Sequence, residues 1–176
     1  MEQRSEEWFE ARKGRVNASM VGAILGLSPY MTRDDAMRAM VREAIGEERE
    51  FKGNVATEYG SHHEDGALVE YRMETQHEVE VVGFVEFEDW AGVSPDGLIG
   101  DKGGVEIKCP YSLRNEEEPV FKTIEDQPHY YAQVQFSLFV TKREWWSFFQ
   151  WAPKGTYHRV IKPDADWVAE NIPRRS

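Results

Sequence analysis

The chain has 176 residues, 40% of them hydrophobic, 30% charged and 12% aromatic, a balance that excludes a disordered polymer and suits one well-buried core. The formal charge of -11 excludes a broadly basic surface for nucleic acid. Any DNA contact must therefore be local, through a cationic groove on an acidic body or through divalent metal in the site.

The first residues, "MEQRSEEWFEARKG", lack the apolar core of a secretory signal, and no run approaches the roughly 18 apolar residues of a membrane span, so an intracellular protein is expected. Ser5 is placed to cap a short helix through about Lys13, with Gly14 ending it. Asn17 caps a second over "ASMVGAIL", stopped at Gly26, and "LGLSPYMT" is a turn. Thr32 opens a third helix with Asp35 in a capping-box-like position, and Met37, Met40, Val41, Ala44 and Ile45 follow the 3.6-residue period. A longer helix is predicted from about Asn54 to Met73. There Gly60, Glu64, Ala67 and Tyr71 share a face, so Glu64 is either a rim glutamate or an acid aimed inward.

The middle reads as β: "HEVEVVGFVEFED", "AGVSPDGLI" and, after the turn "GDKGG", "GVEIKCP". A polar loop, "LRNEEEP", leads to a helix with Pro128 in its first turn, running to about Val140. Two strands, "EWWSFFQWA" and "TYHRVIK", and a short helix near Asp164 to Asn171 close the pattern. Together these predict one α/β (α+β mixed) domain over residues 1–176, a central mixed sheet flanked by helices. The lone cysteine, Cys109, has no disulfide partner and no CxxC mate for zinc.

Chemistry concentrates in "SPDGLIGDKGGVEIKCP". In an extended strand, period 2 sends Val105, Ile107 and Cys109 to one face and Glu106 and Lys108 to the other, about 7 Å apart along the strand. Asp96, across a turn rich in glycine, can face the same side. Two carboxylates converging there repel unless a cation shares the site, and an all-oxygen donor set points to Mg²⁺, with Mn²⁺ as its substitute. The bland alternative for "ExK" alone is an edge hairpin with an ordinary Glu–Lys pair. Asp-x9-Glu-x-Lys preceded by "SPDG" is more specific.

These residues resemble the PD-(D/E)XK nucleases, whose motif stands here as Pro95-Asp96 and Glu106-Ile107-Lys108. The blocks "RSEEWFEARKGRVNAS", "GLSPYMT", "YGSHHEDGALVEYR", "SPDGLIG", "VEIKCP" and "YYAQVQFSLFVT" occur in the order found in the YqaJ-like viral recombinases, the group containing bacteriophage lambda exonuclease. The resemblance implies a restriction-endonuclease-like core with Asp96, Glu106, the Ile107 carbonyl and Glu64 as metal ligands. It also implies Lys108 as the catalytic lysine and Gln133 as the glutamine that helps place it or the attacking water. Arg12, Ser19 and Ser94 match the pocket for a terminal 5′-phosphate; local capping is the alternative for both serines.

The activity so implied is metal-dependent 5′→3′ degradation of linear double-stranded DNA to mononucleotides and a 3′ single strand, in phage-type recombination in the cytoplasm of a bacterial host. A ring-shaped homotrimer around DNA and a single-strand annealing partner protein are implied too, with no membrane. Two rivals stay open: a structure-specific or restriction-type endonuclease of the same superfamily, and a non-catalytic DNA-end binding module. Retention of Asp96, Glu106 and Lys108 speaks against the second.

Overall fold

A computed structural model describes residues 1–46 and 54–173. Side-chain caps set the helices of the first third. Ser5 accepts the Trp8 amide at the head of α1 (Glu6–Arg12), and Gly14, at φ 73°, turns the chain out of it. A two-residue strand, β1 (Val16–Asn17), runs into α2 (Ala18–Ile24), where the Asn17 side chain accepts the Ser19 amide. Thr32 caps α3 (Arg33–Ala44) and Asn54 caps α4 (Val55–Thr75) in the same manner.

The periodic stripe of α3 is largely exposed. Val41 and Ile45 are 59% and 67% exposed, and Ala36 is the one buried residue of the helix. Periodicity identifies residues that share a face, but it does not say whether that face has a neighbour.

The β region divides between two sheets. After α4 come β2 (Val85–Phe87), β3 (Ala91–Val93), β4 (Gly97–Ile99) and β5 (Gly103–Lys108). Then follow α5 (Pro128–Thr141), β6 (Trp145–Ala152), β7 (Gly155–Ile161) and α6 (Ala165–Asn171). One sheet has the order β1-β3-β2, the other β4-β5-β6-β7, with β5 and β6 parallel and its remaining pairs antiparallel.

Two runs that read as continuous strands are therefore broken. "AGVSPDGLI" splits into β3 and β4, which belong to different sheets, because Pro95 has no N–H to give a ladder and fixes its own φ. "HEVEVVGFVEFED" crosses the same gap, pairing Glu80 with Leu98 of one sheet and placing β2 in the other.

The four-stranded sheet is sandwiched. Ala67, Leu68 and Tyr71 of α4 pack on Val105, Ile107 and Phe149, while Val134 and Leu138 of α5 pack with Leu98, Trp146 and Phe148 on the opposite face. This is the mixed sheet flanked by helices that the pattern predicts. Gly100, at φ 55°, makes the β4–β5 turn. A Cβ on Gly104 would overlap the Trp146 ring, so this glycine lets the indole lie flat on β5 and hold it against β6.

Candidate active site

The break at Pro95 places the first acid. Antiparallel register pairs Gly97 with Val105, so Asp96, just before the start of β4, stands opposite Glu106. Its Oδ2 accepts the Ile107 amide at 2.7 Å, in the position where a longer β4 would have offered a backbone carbonyl. An extended residue sends its N–H and C=O off the same strand edge, so the Ile107 carbonyl leaves β5 on the side of Asp96.

Glu106 is 5% exposed and faces α5. Lys108 Nζ lies 3.2 Å from Glu106 Oε1, and Gln133 Nε2 of α5 donates to the same oxygen at 3.1 Å. Tyr130, one turn before Gln133, puts its ring 4.4 Å beneath the ammonium. Burial, then Glu106, then Glu64 drive the Asp96 carboxyl well above the ordinary carboxylate range, against a downward pull from the Ile107 amide. Burial also raises Glu106, and Lys108 moderates the rise. Burial alone would lower Lys108, but Glu106, Tyr130 and Asp96 outweigh it and hold the ammonium above its usual range. In the cation-free protein these contacts favour the protonated form of Lys108.

Glu64 reaches the same place from α4 and interacts electrostatically with both Asp96 and Glu106. With Ile107, Lys108 and Tyr130 it lines a cleft of about 670 Å³. Cys109 lines it also, but burial, Glu64 and Asp96 push its thiol up to about 12, so it is no nucleophile at neutral pH. Among the described residues no three His, Cys, Asp or Glu side chains stand ready-grouped around one ion position. The donor set nonetheless fits a hard divalent cation. It consists only of oxygens, and burial with the charges of Glu106 and Glu64 raises the proton affinity of Asp96, as burial and Glu64 raise that of Glu106, a cost that a shared positive charge relieves.

The residues matched to the 5′-phosphate pocket sit near the three-stranded sheet. Arg12 lies 4.0 Å over the Trp8 ring, and Trp8 Nε1 donates to Ser94 Oγ at 2.9 Å, so one indole joins two members of the set. Ser19 and Ser94 each come two residues after the register pair Asn17 and Gly92, at corresponding ends of β1 and β3. Ser19 also makes local bonds to Asn17 from its amide and its hydroxyl, as the capping alternative predicts. The Arg12 fork is held by Glu43 of α3, Nε to Oε1 at 2.7 Å and Nη2 to Oε2 at 3.2 Å.

Sequence reasoning missed Trp8, Tyr130, Gln127, Gln150 and Glu43. Trp8 and Tyr130 were findable, since they precede Arg12 and Gln133 by four and three residues and share their helix faces. Gln150 pairs in register with Lys108 on β6, bonds to Gln127, and donates to the Lys122 carbonyl at 2.8 Å, pinning the loop that borders the cleft.

A mixed sheet between helices, with Asp96, Glu106 and Lys108 brought to one strand edge beside a cleft, defines a nuclease of the PD-(D/E)XK class. The model of the YqaJ-like viral recombinase domain matches residues 7–144, and the chain belongs to that family. The alkaline exonuclease LHK-Exo from Laribacter hongkongensis is 30% identical, with a TM-score of 0.76, over 94% of this chain and 86% of its own. LHK-Exo in complex with dAMP gives a TM-score of 0.77 at the same identity and coverage, 94% and 86%. A phage related exonuclease from Haemophilus somnus 129PT shares the fold at 14% identity and a TM-score of 0.68, over 89% of this chain and 87% of its own. A search of curated proteins found no match.

Proposed function

We propose that this protein is a divalent-cation-dependent exonuclease that degrades linear double-stranded DNA 5′→3′ to mononucleotides, leaving a 3′ single strand for phage-type recombination in the cytoplasm of a bacterial host. The observation that carries the proposal is the convergence of Asp96, Glu106 and Lys108 at the β5 edge, in a chain 30% identical to an alkaline exonuclease. The complex of that relative with dAMP, a deoxynucleoside 5′-monophosphate, is consistent with a mononucleotide product.

Asp96, Glu106, the Ile107 carbonyl and Glu64 would hold Mg²⁺ or Mn²⁺. The chemistry supplied by such an ion, when bound, is Lewis acidity and neutralisation of phosphate charge. Lys108, kept protonated between Glu106 and the Tyr130 ring, donates to the oxygen on which negative charge grows during cleavage. Gln133 fixes the Glu106 carboxylate by holding Oε1 from the α5 side. Arg12 receives the terminal 5′-phosphate with its planar fork, and Ser94 and Ser19 add hydroxyl donors. Trp8 keeps the fork flat and anchors Ser94, two residues from Asp96, so the receptor and the cleaving edge are tied by one short segment.

The reading extends to a homotrimeric ring around DNA and to a single-strand annealing partner. Both are what the resemblance to the lambda exonuclease group implies, and an acidic exterior with basic groups turned to a channel suits the net charge of -11. Light scattering on the purified protein, expected to give three times the chain mass, tests the ring.

Duplexes labelled at either the 5′ or the 3′ terminus of one strand test the polarity. In Mg²⁺ the 5′ label should appear first, as a mononucleotide. Earlier release of the 3′ label, or products that are mainly internal fragments, contradicts the proposal.

A further inference from the structure

We infer that Glu43 is a tethered competitor for the phosphate receptor, and that it sets how tightly a 5′-phosphate is held there. The inference rests on the reading of Arg12 as that receptor. The Arg12–Glu43 contact uses both arms of the guanidinium, at 2.7 and 3.2 Å, which is the two-point grip a phosphate monoester would take from the same fork. The two cannot occupy it together. Trp8 covers one face of the guanidinium at 4.0 Å and is itself fixed to Ser94, so the fork cannot swing away to serve an anion elsewhere.

Glu43 is placed to give way. It sits in the last turn of α3, a helix with one buried residue, and the two side chains are 18% and 22% exposed, within reach of solvent. The pair is largely but not fully buried, so the carboxylate keeps a route to solvent and can be exchanged for a stronger anion that takes over the fork. A carboxylate carries one negative charge and a terminal phosphate close to two, so the phosphate wins when present. The proposed reaction also needs the receptor to let go. Each cleavage removes a nucleotide bearing the old 5′-phosphate and leaves a new one on the shortened strand. A tethered carboxylate that refills the fork opposes retention of the departing mononucleotide. A 5′-hydroxyl end has no phosphate to place in the fork and displaces nothing.

The test compares wild-type protein with Glu43→Gln and Arg12→Ala on linear duplexes with 5′-phosphate or 5′-hydroxyl ends, and measures the dissociation constant of dAMP. Glutamine keeps the shape and loses the charge. Glu43→Gln should lower KM for phosphorylated ends and the dissociation constant of dAMP by roughly threefold to fivefold, the weight of one partly exposed competing ion pair. KM for hydroxyl ends should not follow. Glu43→Asp, charged but shorter, should fall between the two. A merely structural salt bridge predicts no gain in phosphate affinity. If Arg12→Ala erases the preference for phosphorylated ends while Glu43→Gln leaves both constants at their wild-type values, the inference is wrong and the receptor stands. If Arg12→Ala leaves that preference intact, the receptor reading fails and the inference fails with it.

Discussion

Asp96 is held in a place that costs the fold something. Its raised proton affinity in the folded, cation-free protein means that the folded state binds a proton the unfolded chain would release. The stability that Asp96 contributes is therefore fully present below the ordinary aspartate range near 3.9 and is lost as pH climbs through the raised value. Asp96→Asn should abolish cleavage yet raise the unfolding midpoint in EDTA by about 2–6 °C, for a gain of about 1–2 kcal/mol in a chain of this size. The gain should be larger at pH 8 than at pH 5. A lower midpoint for the variant at pH 8 contradicts the account of repelling acids.

Lys108→Ala should cut cleavage by about a thousandfold while DNA affinity, read by anisotropy on a labelled duplex, changes little. Equal loss of binding contradicts a role confined to the transition state. Asp96, Glu106 and Lys108 were legible because period 2 and the glycine-rich turn fix which residues face one another across a hairpin. Tyr130, Gln150 and Glu43 were less so, since their contacts join elements that only tertiary packing brings together.

Among the elements, β5 carries the site and depends on what lies flat against it. Gly104→Ala places a methyl into the Trp146 ring and should destabilise the protein by about 1–3 kcal/mol. Chemical denaturation measures it, and an unchanged midpoint contradicts the close approach of the indole to β5. The helices were the most readable elements, because Ser5, Asn17, Thr32, Asn54 and Asp164 each cap a helix by accepting an amide of its first turn. The strands were less so. Alternation in residues 77–89 and 91–99 is real, but one sheet hands over to the other partway along both runs. Only the register of the neighbours reveals it. The exposed stripe of α3 is a related case, in which periodicity marks a shared face but carries no information on what covers it.

For the whole molecule, an acidic body and a small cationic site must act together. No helix among the described residues is long and apolar enough to cross a membrane. With a net charge of -11, DNA binding should rest on few phosphate contacts, so affinity should fall with salt less steeply than for a broadly basic protein. The proposed function requires the β5 edge to cleave DNA only from an end and only with a divalent cation. Its most direct measurement sets linear duplex beside covalently closed circular duplex, each in Mg²⁺ and in EDTA, with the Lys108→Ala protein as control. Wild-type protein should digest the linear duplex in Mg²⁺, and no digestion should occur in the other reactions. Cutting of the closed circle, or cutting that persists in EDTA, would contradict it.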